Sequence, residues 1–320
     1  MRIRPVQTDE LDFFVEAAGS PDHRGEVVQY LRSMFAAGSM RPEWCFVAEE
    51  QAERPLGRVA FWTLPGMEEP FALVLLDVPW DRDYMGVGKR LLEDVLNEAL
   101  ALGAEEIEHV VDDPPMRPQF QYNPERRVEL LESVGFAFRR ETGRFDWQGG
   151  EPPAVSGRLS LRTLEEVGED AFVEAMREVS EGTLDREIRE ERERLGGERA
   201  AREFFKDAQR VGHDPAWWRL AYAPNGELVG LVMPAEPPGF LTIFYVGVVP
   251  RMRGQGYIDD LLAAGTTTLL EVRRRDGNEK PLRADTDVAN RPMAAAFERA
   301  GWARFARRRE YVMDLTSDRA

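Results

Sequence analysis

The sequence predicts a mixed α/β protein made of two similar units in tandem, each a mixed, mostly antiparallel sheet flanked by helices. Its 320 residues are enough for two domains, at about 100–200 residues per domain. The order strand, Gly-x-Gly turn and helix occurs at 71–102 and again at 241–275. Each copy continues into a short strand and a helix that ends in glycine plus an aromatic residue. A duplicated α/β unit is therefore the simplest interpretation.

The first copy contains its elements in a regular order. A helical region opens it, and apolar runs then predict strands. The predicted strands are 44–49, 58–64, 71–78 and 106–111, and the helix after the Gly-x-Gly turn is 89–102. The next helix ends at Gly135 and Phe136.

The second copy repeats this order. Strands 217–223 and 228–235 are joined by Pro224, Asn225 and Gly226, and Asn-Gly between β-rich runs is a strong hairpin signal. The remaining predicted elements are strand 241–249, helix 257–275, strand 282–286 and a helix that ends at Gly301 and Trp302.

A cluster of glycine and proline at 149–157 marks the boundary between the copies. It separates two strand-like stretches, and such residues are typical of linkers and turns. We predict an N-terminal domain at 1–149, a linker at 150–157 and a C-terminal domain at 158–320.

Composition and charge exclude several function classes. The net charge of -16 disfavours binding to a phosphate backbone, so we expect no nucleic-acid partner. No run approaches the roughly 18 apolar residues of a membrane span, and the first residues lack a secretory-signal pattern. With one cysteine, Cys45, and three scattered histidines, we expect no disulfide and no metal site. We expect a cytoplasmic protein. Because two fused copies supply internal pseudo-symmetry, it is expected to be a monomer or a homodimer.

The stretch 248–257 carries the most informative motif. Gly254 and Gly256 follow a strand and precede a helix, so successive backbone N–H groups and the helix dipole can bind an anion. Arg251 and Arg253 add positive charge. A dinucleotide motif would need glycine at the position of Asp259, and no P-loop pattern is present.

The pattern Arg251-x-x-Gly254-x-Gly256 resembles the acetyl-coenzyme A motif of the Gcn5-related N-acetyltransferase family, Gln/Arg-x-x-Gly-x-Gly/Ala. The helix that starts near Asn290 and ends at Gly301 is also similar to that family's. The resemblance implies that acetyl-CoA binds to this turn, to the main chain of the preceding strand and to Asn290. The implied cofactor-binding residues are Val246, Val248, Val249, Arg251, Arg253, Gly254, Gln255, Gly256, Tyr257 and Asn290.

The first copy departs from this motif. It keeps Gly86 and Gly88, but Asp83 stands at the Gln/Arg position and Met85 at the inner arginine position. A carboxylate beside a phosphate costs on the order of a kcal/mol or more. We therefore predict a degenerate N-terminal copy that binds the cofactor poorly.

The resemblance also implies a mechanism in which an amine attacks the thioester directly while strand N–H groups polarise its carbonyl. A general base and a general acid are then required. The tyrosine that serves as acid in the family is replaced here by Phe297. Candidate acids are Tyr257, Tyr245 and Tyr311, and candidate bases are Glu236, Asp285 and Asp287.

The sequence thus predicts an acetyl-CoA-dependent N-acetyltransferase whose acceptor is an amine on a small molecule or peptide. The alternative is a non-catalytic acyl-CoA-binding or scaffold protein that keeps the fold. A different acyl group, such as succinyl or propionyl, is a third possibility. The aromatic pairs at 204–205 and 217–218 are interpreted as core rather than as an acceptor pocket.

Overall fold

The structure, a computed structural model, describes residues 1–17, 23–50, 55–152 and 154–317. Its contacts divide the chain into two compact units. Unit 1 comprises Met1–Glu141 and Arg307–Ala320, and unit 2 comprises Thr142–Ala306. Residue 153 of the predicted linker and residues 318–320 of the predicted C-terminal domain lie outside the described residues.

Unit 1 is a mixed sheet with helices packed against it. Its strands lie in the order β1-β2-β3-β4-β5-β12, and neighbours are antiparallel except for the parallel pair β4 and β5. Its elements are β1 (Arg2–Pro5), α1 (Leu11–Glu16), α2 (Arg24–Ala36), β2 (Cys45–Glu49), β3 (Pro55–Trp62), β4 (Ala72–Asp77), α3 (Tyr84–Ala101), β5 (Glu106–Asp113), α4 (Pro124–Ser133) and the C-terminal part of β12 (Trp302–Asp314).

Unit 2 repeats the plan. Its strands lie in the order β6-β11-β10-β9-β8-β7, with β10 and β11 parallel. Its elements are β6 (Ala137–Trp147), β7 (Ser160–Thr163), α5 (Leu164–Val167), α6 (Glu169–Val179), α7 (Arg186–Leu195), α8 (Gly197–Arg210), β8 (Arg219–Tyr222), β9 (Leu228–Ala235), β10 (Leu241–Val248), α9 (Tyr257–Arg275), β11 (Leu282–Asp287) and α10 (Arg291–Arg299). The predicted fold class, in which each unit has mixed, mostly antiparallel strands flanked by helices, is confirmed.

The predicted hairpin at Asn225 and Gly226 joins β8 to β9. Ala221 pairs with Gly230 across it, and Gly226 has a φ of +84°, a conformation that glycine adopts without steric cost. The Asn-Gly pair therefore predicts the hairpin correctly because the turn requires a positive φ at Gly226.

The units divide within two strands, whereas the sequence places the boundary at 150–157. From Thr142 onward, β6 pairs with β11 of unit 2. From Arg307 onward, β12 pairs with β5 of unit 1, in register from Arg307 opposite Asp113 to Asp314 opposite Glu106. The last strand of the chain thus completes the first unit, because β5 takes β12 as its antiparallel neighbour.

In each unit the two parallel strands separate after a short paired stretch. Leu241 pairs with Leu282 and Thr242 with Arg283, and an irregularity in β10 follows between Ile243 and Tyr245. Beyond it the two strands no longer pair, so a cleft opens towards their carboxyl ends. In the part of the chain that the structure describes, no helix has the length and apolar character needed to cross a membrane.

The assignment of Tyr311 to unit 1 predicts which unit its removal destabilises. Tyr311 is buried and its ring meets Phe138 edge-on at 5.8 Å, so Tyr311→Ala should cost about 3–5 kcal/mol of unfolding free energy, as aromatic truncations in cores do. Native-state hydrogen exchange should then show faster exchange first in β5.

Phe297→Ala is the matched change in unit 2, because Phe297 is also buried and stacks on Phe145. In the Phe297→Ala variant, amide hydrogen exchange should become faster first in β10 and β11. If Tyr311→Ala instead loosened β10 and β11 and spared β5, the assignment of the last strand to unit 1 would be wrong.

Candidate active site

The turn between β10 and α9 presents unpaired backbone donors. Gly254 and Gly256 have φ values of +76° and +74°, a left-handed conformation that permits this turn. From Gly254 to Ile258, successive N–H groups find no acceptor among the described residues. They lie at the N-terminus of a helix of 19 residues, where the helix dipole is positive. The turn therefore has the geometry of an anion-binding site.

The two motif arginines are bound to protein acceptors. Arg253 donates to the carbonyl oxygens of Val248, Val179 and Gly182, at 3.0, 2.8 and 3.3 Å. Arg251 pairs with Glu178. The sequence predicts that both arginines bind the anion, whereas the structure shows them bound to protein acceptors. The last carbonyl groups of a helix have no donors within that helix. Arg253 supplies them with donors, and so ties the end of α6 to the turn.

A different arginine lies beside the turn. The guanidinium of Arg158 stacks over the ring of Tyr257 at 4.5 Å and its Nε donates to Asp260 at 2.7 Å. Burial alone would raise the pKa of Asp260, but hydrogen bonds from Ser156 and Arg158 outweigh it and hold that pKa below its ordinary value. No motif in the sequence marks Arg158, because its role depends on a contact made across about 100 residues.

Aromatic side chains line one side of the cleft in unit 2. Phe244, Tyr245 and Val246 follow the irregularity in β10 and are half-buried. Phe204 of α8 stacks on Phe244 at 5.7 Å and meets Tyr245 edge-on at 5.1 Å. Phe205, Trp217 and Trp218 are buried in the core. Of the four residues in the aromatic pairs 204–205 and 217–218, Phe204 is therefore the one whose ring reaches the cleft.

Two acids approach the same region. Asp287, at the end of β11, is buried and accepts N–H donors from Ala289 at 2.7 Å and from Arg186 at 3.4 Å. Asp185 accepts from the N–H of Ile188 at the start of α7. Burial, followed by the charge of Asp185, raises the pKa of Tyr245, so its hydroxyl keeps its proton at neutral pH.

The structure separates the predicted catalytic residues. Glu236 follows β9, at the end of the sheet opposite the turn, and pairs with Lys280 at 2.6 Å. Asp285 pairs with Arg144 at 3.4 Å. Tyr311 lies in unit 1 rather than in the unit that holds the turn. Tyr257 is the first residue of α9, and its ring stacks against the guanidinium of Arg158.

The remaining cofactor candidates occupy backbone or capping positions. Val248 and Val249 are buried. The carbonyl oxygen of Val248 accepts from Arg253, and the N–H of Val249 donates to Val229 at 2.9 Å. The side chain of Asn290 caps α10 and accepts the N–H of Met293 at 3.3 Å. Gln255 is exposed at the centre of the turn.

The corresponding segment of unit 1 differs, because a side chain of the protein itself already caps the helix there. There α3 begins at Tyr84, before both glycines, and the Asp83 carboxylate accepts the N–H of Gly86 at 3.1 Å. A Cβ on Gly88 would collide with Leu130. These glycines therefore permit close packing in a helix and form no left-handed turn.

A side chain of unit 1 also binds the irregular strand of its own sheet. Its irregular strand residue, Leu75, has a φ of +55°. The N–H of Leu75 donates to the side-chain oxygen of Gln119 at 3.2 Å. This backbone donor of β4 is thus already bound by a side-chain amide.

Removing Arg253 should loosen the end of α6. Arg253→Ala deletes three hydrogen bonds from a charged donor and should lower the unfolding free energy by about 1–3 kcal/mol. Arg251→Ala deletes one exposed ion pair and one long hydrogen bond, to the Leu228 carbonyl at 3.4 Å, and should cost less than about 1 kcal/mol. Urea denaturation measures both values. Equally small losses of unfolding free energy in the two variants would show that Arg253 does not hold the end of α6.

The sequence matches no family model and no curated protein, but the fold matches solved structures. A Gcn5-related N-acetyltransferase from Sphaerobacter thermophilus superimposes with a TM-score of 0.62 at 17% identity, over 98% of this chain and 95% of the other. A tandem protein of that family from the clavulanic acid biosynthesis pathway gives 0.55 at 17% identity, over 99% of both chains.

A glucosamine N-acetyltransferase region of a fungal multi-domain GH3 β-N-acetylglucosaminidase gives a TM-score of 0.59 at 13% identity. The match covers 98% of this chain and 38% of that one. At these identities the likeness concerns the fold. The chain has the fold of the Gcn5-related N-acetyltransferases in its tandem form.

Proposed function

We propose that this chain transfers an acetyl group from acetyl-CoA to an amine on a small molecule or peptide, and that unit 2 binds the cofactor. The supporting observation is the row of unpaired N–H groups from Gly254 to Ile258. It lies at the carboxyl end of β10, where that strand separates from β11. An anion site beside a cleft between parallel strands suits a thioester attached to a pyrophosphate.

The residues present fit this cofactor. The turn supplies donors for the pyrophosphate, since backbone N–H groups at a helix N-terminus bind phosphates well. The main chain of Val246, after the irregularity in β10, is available to the acyl and pantetheine groups. Acetyl-CoA supplies the activated acyl carbon.

The chemistry needs a proton acceptor and a proton donor. The amine nitrogen forms a bond to the acyl carbon, the C–S bond breaks, and the amine proton passes to Asp287 directly or through water. Tyr245 then gives its hydroxyl proton to the departing thiolate. General acids and bases of this kind contribute about 10²- to 10⁴-fold each.

Unit 1 in this proposal binds no cofactor. Asp83 already accepts a hydrogen bond from the head of α3, and Gln119 already accepts from Leu75. A ligand would have to displace both side chains and approach a carboxylate. Unit 1 is then a scaffold that keeps the fold.

A second function is favoured by one observation. Phe297, which replaces the tyrosine used as acid in the resembling family, is buried between Phe145 and Trp302. A protein without a proton donor would bind an acyl-CoA and not transfer the group. The two functions differ in whether thiol is released in the presence of an amine.

A single charge placed in the turn tests the cofactor site. Gln255→Glu adds a carboxylate at its centre without changing the side chain's shape, and repulsion should weaken acetyl-CoA binding at least tenfold, or about 1.4 kcal/mol. Isothermal titration should find one equivalent bound to the wild type.

Gln29→Glu is the matched control, because Gln29 is exposed on α2 of unit 1. It makes the same change in net charge and should leave the affinity unaltered. Equal weakening by both substitutions would assign the effect to overall charge and remove the turn from the site.

The proposed acid is tested by Tyr245→Phe. Loss of its hydroxyl should lower kcat by about 10²-fold or more while the KM for acetyl-CoA stays within twofold, because the ring packing is kept. Thiol release with a panel of amines measures both constants. Tyr222→Phe, on β8, is the control, and unchanged turnover in Tyr245→Phe would exclude this tyrosine as the acid.

A further inference from the structure

Arg158 lies against the turn of unit 2, although it precedes β7 and is distant from the motif in sequence. Its Nη2 atom is 3.6 Å from the position that a Cβ would take on Gly256. Its guanidinium lies over the ring of Tyr257, the first residue of α9. A positive charge is thus fixed beside the unpaired N–H groups.

Three contacts fix the orientation of this side chain. Nε and Nη2 both contact the Oδ2 atom of Asp260, at 2.7 and 2.5 Å, and Nη1 donates to the carbonyl oxygen of Gln255 at 3.2 Å. Asp260 is itself held by the N–H of Ser156 at 3.2 Å. The pair is therefore a preformed structure rather than two freely moving surface charges.

The guanidinium keeps donors for a ligand. It carries five N–H groups, of which these contacts use three. The side chain is 43% exposed, whereas that of Asp260 is 6% exposed. The acid is covered and the cation is open, so an anion at the turn meets the arginine rather than the carboxylate.

The other charged side chains near the turn are engaged differently. Arg253 binds three carbonyl oxygens at the end of α6 and of β10, and Arg251 pairs with Glu178. Asp259, in the first turn of α9, is paired with Arg299 at 2.7 Å. Arg158, by contrast, holds its guanidinium next to Gly256 and Tyr257, where it adds charge beside the N–H groups.

We propose that Arg158 binds the pyrophosphate of acetyl-CoA together with the turn, and that Asp260 positions it. The inference rests on the proposed function. Planar guanidinium groups bind phosphate oxygens through paired hydrogen bonds. The chain that leads into β7 is then part of the cofactor site, and this site uses a cation from outside its glycine motif.

Isothermal titration of acetyl-CoA into full-length variants tests the proposal. Arg158→Gln should weaken binding about 10- to 50-fold, and Arg158→Lys should restore only part of the loss. Because Arg158→Gln leaves the buried Asp260 carboxylate without its partner, the double variant Arg158→Gln/Asp260→Asn is measured as well. It should bind as weakly as the single variant while unfolding at a temperature closer to that of the wild type.

Arg162→Gln is the matched control, since Arg162 also stacks on a tyrosine, Tyr222, at 5.3 Å but lies on β7. It should bind like the wild type. Equal affinity of Arg158→Gln and the wild type would overturn the proposal. Acetyl-dephospho-CoA, which lacks the 3′-phosphate, identifies the group that is bound.

The loss in Arg158→Gln should be the same for acetyl-CoA and acetyl-dephospho-CoA. A loss seen only with acetyl-CoA would place Arg158 on the 3′-phosphate and overturn the assignment to the pyrophosphate. If the folded wild type bound neither ligand, the proposed function itself would fail, and this inference with it. Binding by the wild type with no effect at Arg158 would overturn the inference alone.

Discussion

The architecture of unit 2 depends on the point at which two parallel strands stop pairing. β10 and β11 are in register only at their first residues, and the irregularity between Ile243 and Tyr245 turns the chain away from its neighbour. Backbone groups beyond that point need other partners, because unpaired polar groups are costly when buried. The cleft follows from this separation. The N–H groups at the head of α9, next to the cleft, are unpaired because they begin a helix after the turn at Gly254 and Gly256.

The two units meet the same constraint in different ways. In unit 1, α3 begins four residues before the second glycine, Gly88, whereas α9 begins one residue after the second glycine, Gly256. The earlier start lets Asp83 cap the helix. In the irregular strand β4, the side-chain oxygen of Gln119 accepts the N–H of Leu75. Unit 1 binds these two backbone N–H groups with its own side chains, whereas the N–H groups from Gly254 to Ile258 of unit 2 have no acceptor among the described residues.

Local patterns in the sequence predict much of the fold. The Asn225-Gly226 hairpin and the glycine spacing at 254 and 256 act through backbone conformation, which a few neighbouring residues determine. The roles of Arg253, Arg158 and Tyr311 depend on partners about 70 to about 200 residues away, or on a strand that completes the other unit. Residue type and spacing carry no record of such partners, so the arginine beside the turn is visible only in the structure.

The central claim is that unit 2 binds acetyl-CoA through backbone N–H groups that the fold leaves unpaired, and amide hydrogen exchange tests it most directly. Exchange is measured with and without saturating acetyl-CoA, at single-residue resolution. The account predicts slower exchange at Gly254–Ile258 on binding and no change at Tyr84–Gly88. Protection at Tyr84–Gly88, or titratable binding without protection at Gly254–Ile258, would contradict it.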